Sequence, residues 1–358
     1  MIALFLLMGM NLFAQNYNLT KSYDKSFALK DHTEVSLMNK YGDIQIIHWD
    51  KDSVRIQVKV EVNSHKEAKA EKLFQAIQIN FKSTNFYVHA ETELIGKNSV
   101  WNEITDKTKQ IFNAKTTSNI NYTVYLPNST KLNMQNKYGH IFMGDYVGEL
   151  NIEMSNGDLK AHHIKGKSKL KVSFGDLFIY RIENAYLETT YAEAEIGQIA
   201  YLETNTSTSK FYIEELEELN IFSSHDKYYI GQLSKISGKG RFSLIRIKNL
   251  DQEINLKMEF GALHLRGLSS ALQNFQMSGY KTDIHLALNY EDAYQVEFRY
   301  KEAPQFQFPV GEYEKSETVV DQDSNLKSLL FIRNSSKSDQ SKQLNISSEE
   351  GNVFMTIK

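Results

Sequence analysis

Three columns of apolar residues recur through the middle of this chain every 17 or 18 residues, and that period limits what it can fold into. The last column falls at Tyr146, Ile164, Ile182, Ile199, Leu216, Leu233, Leu250 and Leu268, with successive intervals of 18, 18, 17, 17, 17, 17 and 18. Three residues earlier stand Met143, Ala161, Ile179, Ile196, Ile213, Ile230, Ile247 and Leu265. Two earlier again stand Ile141, Leu159, Leu177, Ala194, Phe211, Tyr228, Ile245 and Leu263. A strand of this length cannot bury its apolar side alone, so identical units must stack and share one core. Sandwich strands also recur, but their spacing varies with loop length. The near-constant interval therefore predicts an all-β chain built on a parallel β-solenoid (β-helix) with 17–18-residue coils. At roughly 4.8 Å per coil, eight coils make a rod about 38 Å long.

A turn column precedes each triplet. It reads Gly139-His140, Gly157-Asp158, Gly175-Asp176, Ala192-Glu193 and, later, Gly261-Ala262. Glycine is expected to supply positive φ at this bend, and Asp to bond its own nearby backbone. Each coil then reads as a short strand, a Gly-Asp bend, a second strand and a looser turn. Only 3 prolines occur in 358 residues, against 20 Tyr and 20 Phe, which agrees with a strand-rich chain.

The same signature stands alone upstream. Asn39-Lys40-Tyr41-Gly42-Asp43-Ile44, with Ile46 and Trp49, parallels Asn136-Lys137-Tyr138-Gly139-His140-Ile141, with Met143 and Tyr146. Strand-like runs lie between, at 53–62, 76–81, 84–91 and 119–126. A short amphipathic helix is expected near 64–76, where Ala70, Phe74 and Ile77 share a face. Residues 92–118 read as a polar loop. The tail echoes the repeat at Gly351-Asn352-Val353 with Met355, beyond strand-like 294–300, apolar 329–332 and polar 334–343. The expected organisation is a leader at 1–14, an N-terminal β-rich region at 15–130, the solenoid at 131–290 and a C-terminal β-strand cap at 291–358.

Residues 1–14 are uncharged and almost wholly apolar, too short to span a bilayer, and give way to polar sequence after Ala14. They read as the core and cleavage region of a signal peptide without its usual positive start, or else as a buried strand. Export follows from the first reading, to the periplasm or cell surface of a Gram-negative bacterium. No later segment is long and apolar enough to span a membrane. A net charge of −3 gives no reason to expect nucleic acid as a partner. With no cysteine there is neither thiolate chemistry nor a disulfide.

The motif at 39–44, Trp49-Asp50, the alternating Val54 to Val62, the second motif at 136–141 reached through Tyr125-Leu126-Pro127, and the later Ser/Asn-Gly-Asp turns resemble the bacterial "putative adhesin" family of unknown function, envelope proteins of Bacteroidetes-type bacteria. The resemblance covers most of the mature chain. It implies an extracytoplasmic β-solenoid without established catalytic residues. The match departs at 192–244, where the turn glycines become Ala192, Ser209, Asp226 and Ser243.

Candidate chemistry is sparse. Stacked Asp158, Asp176 and Glu193 suggest calcium, but the column continues as Lys210, Lys227 and Leu244, which favours turn formation. His162-His163 point in different directions, and neither His-x-His nor His-Glu-x-x-His occurs. No cofactor is implied. The outer positions of the triplet strand read Lys160, Phe178, Glu195, Tyr212, Tyr229, Arg246 and His264. Phe178, Tyr212 and Tyr229, with Tyr180 beside them, form a candidate ligand-facing aromatic strip, suited to a cell-surface glycan or an envelope protein. The alternative is that the N-terminal region folds over this strip, or that it is plain cross-strand packing. The leading expectation is an exported, adhesin-like binding or structural module of the cell envelope, not an enzyme. Two alternatives remain: a carbohydrate-active β-helix enzyme such as a polysaccharide lyase, and a partner in envelope stress or sigma-factor-linked regulation, the latter suggested only by the resemblance.

Overall fold

A computed structural model describes residues 16–95, 116–302, 304–311, 313–335 and 341–358. The proposed leader at 1–14, most of the loop expected at 92–118 and part of the polar stretch at 334–343 lie outside the described residues. The chain is all-β apart from one helix among those residues, and its strands form a single mixed sheet that does not close.

The apolar columns are the core. Of the 24 positions in the three columns, all but Ala161 are buried, and Ala161 packs against the same cluster. Alternation puts every second side chain inside, where each Leu or Ile contributes about 1.5–3 kcal/mol. Neighbouring units pair in parallel, one repeat apart. Leu159 lies opposite Ile141, Phe211 opposite Ala194, Tyr228 opposite Phe211, Ile245 opposite Tyr228, and Leu263 opposite Ile245. Pairing runs on through the loose turns, so Leu159–Ser207 is one 49-residue extended stretch, bent at Phe174 and Tyr191.

Both outlying motifs join this ladder. Ile44 pairs in parallel with Ile141, although 97 residues separate them. Val353 pairs in parallel with Ile284. One further unit escaped the periodicity: Asn274–Tyr280 and Asp283–Leu288 continue the columns with Ile284 and Leu286. It lies 21 residues beyond the preceding one, and Thr282-Asp283 stands at its bend where the preceding unit has Gly261-Ala262.

Antiparallel strands extend the sheet at each end. Tyr17–Ala28 pairs with Ser53–Ser64, which pairs with Thr116–Leu126, and Ile77–Ser83 pairs with Tyr87–Leu94. At the other end Ala293–Tyr300 pairs with Leu326–Arg333, which pairs with Glu314–Asp321. The helix forms at Glu67–Ala76 and buries Ala70 and Leu73. Phe74, expected on its buried face, is only half-buried beneath the Lys21 ammonium, and Ile77 opens the next strand. Among the described residues, no helix is long and apolar enough to cross a membrane.

Candidate functional site

The bend does not work as its glycines suggest. Positive φ falls on the residue before each bend glycine, or before the residue that replaces it: Tyr41, Tyr138, Asn156, Phe174, Tyr191, Thr208, His225, Phe242, Phe260, Lys281 and Glu350 all lie between 48° and 65°. The left-handed region costs a non-glycine residue roughly 1–2 kcal/mol. The ladder holds it there, because Tyr138, Asn156, His225 and Phe242 each donate their N–H to a carbonyl of the next unit, at 2.8–3.0 Å. The glycines that follow solve a different problem. A Cβ at Gly139, Gly157 or Gly175 would lie 1.9–2.0 Å from the carbonyl oxygen of the preceding bend glycine.

This geometry turns the bend side chains outward and aligns them. Tyr41 stacks on Tyr138 at 5.2 Å and 5°, and Phe174 on Tyr191 at 5.2 Å and 10°. His225 stacks on Phe242 and Phe242 on Phe260, at 4.7 and 4.9 Å, with the Arg241 guanidinium over both phenyl rings. Phe174 and Tyr191 are more than half exposed. This track was missed by the sequence reading. Its sequence signal is an aromatic residue directly before the bend, which a turn motif alone does not distinguish from loop filling.

The turn carboxylates have a structural job. Asp43 Oδ1 accepts the His140 N–H at 2.8 Å, Asp158 Oδ1 that of Asp176 at 3.2 Å, and Asp176 Oδ1 that of Glu193 at 3.1 Å. Each therefore bonds the next unit's amide, not its own backbone as expected. Where the glycines stop, a buried polar spine replaces them. Asp226, 1% exposed, accepts from the Ser209 amide and Thr206 Oγ1 at 2.7 Å, from Ser223 Oγ at 2.7 Å and from the Ser224 amide at 3.1 Å. Burial raises its pKa, against those hydrogen bonds.

The structure divides the predicted aromatic strip. Tyr212 and Tyr229 stack at 5.1 Å and 9°. Phe178 lies two rungs away beneath Lys160, with Glu195 intervening, and Tyr180, 60% exposed, stacks on His162 in the adjacent column. The Tyr212–Tyr229 pair instead continues the other way. Arg246 covers Tyr229, His264 follows Arg246 in register, His264 stacks on His285 at 4.1 Å, and His285 stacks on Phe354 at 4.5 Å. Desolvation, then His285 and the arginines, pushes His264 down to about 4, and burial lowers His285 too. His162 and His163 diverge, toward Asp145 and Glu183 respectively. Glu214, Glu215, Glu217 and Glu218 are solvated.

No protein-family model matches the chain, and neither does any curated protein. Among solved structures, a "putative cell adhesion protein" from Clostridium sporogenes matches with a TM-score of 0.21 and 11% identity, over 95% of this chain and 100% of that one. A "putative lipid binding protein" from Parabacteroides distasonis matches with a TM-score of 0.31 and 9% identity, over 94% and 97%. A "putative adhesin" from Parabacteroides merdae matches with a TM-score of 0.26 and 10% identity, over 94% and 97%. The structural neighbours thus include proteins named as adhesins and cell-adhesion proteins from Bacteroidetes and Clostridium.

Proposed function

We propose that this chain is an exported, adhesin-like binding module of the bacterial envelope, working without catalysis from the outer face of a parallel β-solenoid. One observation carries the reading. The column Tyr212, Tyr229, Arg246, His264, His285 and Phe354 stacks outward in register over six successive units, and nothing in the fold's core requires aromatic residues there. Inside, identity is dictated by packing. Outside, rows of rings presented at one strand spacing suit sugar rings or partner side chains, which bind by stacking. The turn carboxylates, the most regular polar feature, are taken up by backbone amides. That leaves the aromatic tracks as the surface with unassigned purpose.

The test is binding of the purified mature chain to isolated Gram-negative envelope material. Joint replacement Tyr212→Ala and Tyr229→Ala should weaken binding roughly tenfold, about 1.4 kcal/mol for two stacking rings, with little change in melting temperature. Unchanged affinity in a folded variant would sink the proposal.

A further inference from the structure

A second outward surface lies on the strands that precede the bends. Two of its columns run side by side. One reads Asn220, Ser237, Asn255, Gln276, Asn345 and Glu297 in direct register. The other reads Phe222, Lys239, Lys257, Ser278, Ser347 and Arg299. Between them the surface hollows into a groove of about 610 Å³. An adjoining hollow of about 300 Å³ shares Lys239 and Lys257 with it and is walled by Phe222, 44% exposed. Five rungs separate Phe222 from Arg299, so the floor is about 24 Å long.

The chain is net negative, yet the larger hollow carries Lys239, Lys257 and Arg299 against the single carboxylate of Glu297. Glu297 is already held by Arg299 at 2.9 Å and by the Ser328 hydroxyl at 3.1 Å. Lys257 shares its charge with Glu259 at 3.3 Å, while Lys239 is exposed and has no ion-pair partner among the described residues. Asn255, Gln276 and Asn345 are exposed side-chain amides, each offering donors and an acceptor, at one strand spacing from each other.

We propose that this groove binds an acidic polysaccharide. The proposal rests on the binding-module reading above and narrows it to a ligand class and a place. Each part of such a chain has a counterpart here. Lys239, free of an ion pair among the described residues, takes a carboxylate of the sugar units as a charge-assisted partner, with Lys257, shared with Glu259, one rung away; Arg299 stays engaged by Glu297. The amide column takes hydroxyl groups, which act as both donors and acceptors and so match Asn and Gln better than a phosphate does. The exposed ring of Phe222 takes the apolar face of a sugar at one end. A groove that is long, open and repeats its donors rung by rung fits a polymer better than a single small molecule.

The test uses the mature chain in affinity electrophoresis and calorimetry, with polygalacturonate and alginate as probes and with dextran and duplex DNA as controls. Binding to at least one acidic polysaccharide is expected, with none to dextran and much weaker binding to DNA. The charge reversal Lys239→Glu with Lys257→Glu, and the milder Lys239→Gln with Lys257→Gln, should each lower affinity by roughly tenfold or more. Asn255→Ala with Gln276→Ala should lower it at constant salt dependence. Unchanged affinity in the folded Gln pair overturns the proposal, as does equal binding of DNA. Binding to envelope material but to neither polyuronate overturns the groove and leaves the module standing. Binding to none of these overturns both.

Discussion

Asp226 shows how one residue can stand for a whole local solution. Its neighbours in the bend column are glycines at Gly157 and Gly175 and small residues at Ala192, Ser209 and Ser243. Ser223 and Ser243 hydroxyls bond each other at 2.8 Å, and Thr206 bonds the Tyr228 hydroxyl at 2.7 Å, so the carboxylate closes a buried network. Its burial raises the folded pKa, so its ionisation opposes folding as pH rises above the ordinary carboxylate range. Asp226→Ala nonetheless removes the acceptor for four donors, and each stranded buried donor costs about 1–3 kcal/mol. The expected loss is about 3 kcal/mol after the remaining hydroxyls re-pair, measured by chemical denaturation. A loss below about 1 kcal/mol would show that the network contributes nothing. This spine covers the same stretch, 192–244, in which the sequence motif fades. The glycine-to-polar changes were visible in the sequence. Their hydrogen-bond partners, mostly 17 or 20 residues away, were not.

At the scale of the element, the strands were legible and the bends were not. A period of two with a repeat of 17 or 18 identifies an inward position whatever the residue, and only Ala161 among the 24 column positions falls short of full burial. Bends depend on φ and on the approach of the next unit, neither of which periodicity records. So glycine was assigned the left-handed conformation that Tyr138 and Phe174 adopt, while its real task is to let two backbones touch. The aromatic strip was legible only as far as its members: Tyr212 and Tyr229 meet, while Phe178 and Tyr180 lie in other company. The extension through His264, His285 and Phe354 crosses a 21-residue step and a jump to the C-terminal tail, which no fixed period could follow. It also gives the stack a pH dependence. His264, pushed down to about 4 by desolvation, His285, Arg246 and Arg266 against the pull of Asp283, binds its proton later in the folded state than when unfolded. Stability is therefore fully present above about 6.5, the ordinary histidine value, and is lost as pH falls toward 4. The melting temperature should fall more steeply over that window in the wild type than in His264→Phe with His285→Phe. Parallel profiles would refute the assignment.

For the whole molecule, the ends explain how a stack of open units stays discrete. Parallel pairing alone would leave an unpaired strand at each end, ready to recruit another chain. Here one N-terminal edge, Tyr17–Ala28, carries Lys21, Asp24 and Lys25, and Asp24 is held at about 2 by the Arg55 guanidinium and the Gln57 amide; the other, Ile77–Ser83, carries Lys82. One C-terminal edge strand, Glu314–Asp321, carries Glu314, Lys315 and Glu317, while the other, Gln305–Gln307, is a short strand of three residues. Charged antiparallel strands at the ends suit the proposed binding module, whose proposed partners meet its faces. Residues one repeat apart in sequence lie one strand spacing apart in space, so outward columns become continuous surfaces. The absence of native cysteine makes this directly measurable. Spin labels at Lys160→Cys with Arg246→Cys sit five rungs apart, and at Phe142→Cys with His264→Cys seven. Pulsed dipolar spectroscopy should return narrow distributions centred at about 24 and about 34 Å. Distances that do not grow with rung number, or a second pair no longer than the first, would contradict the account.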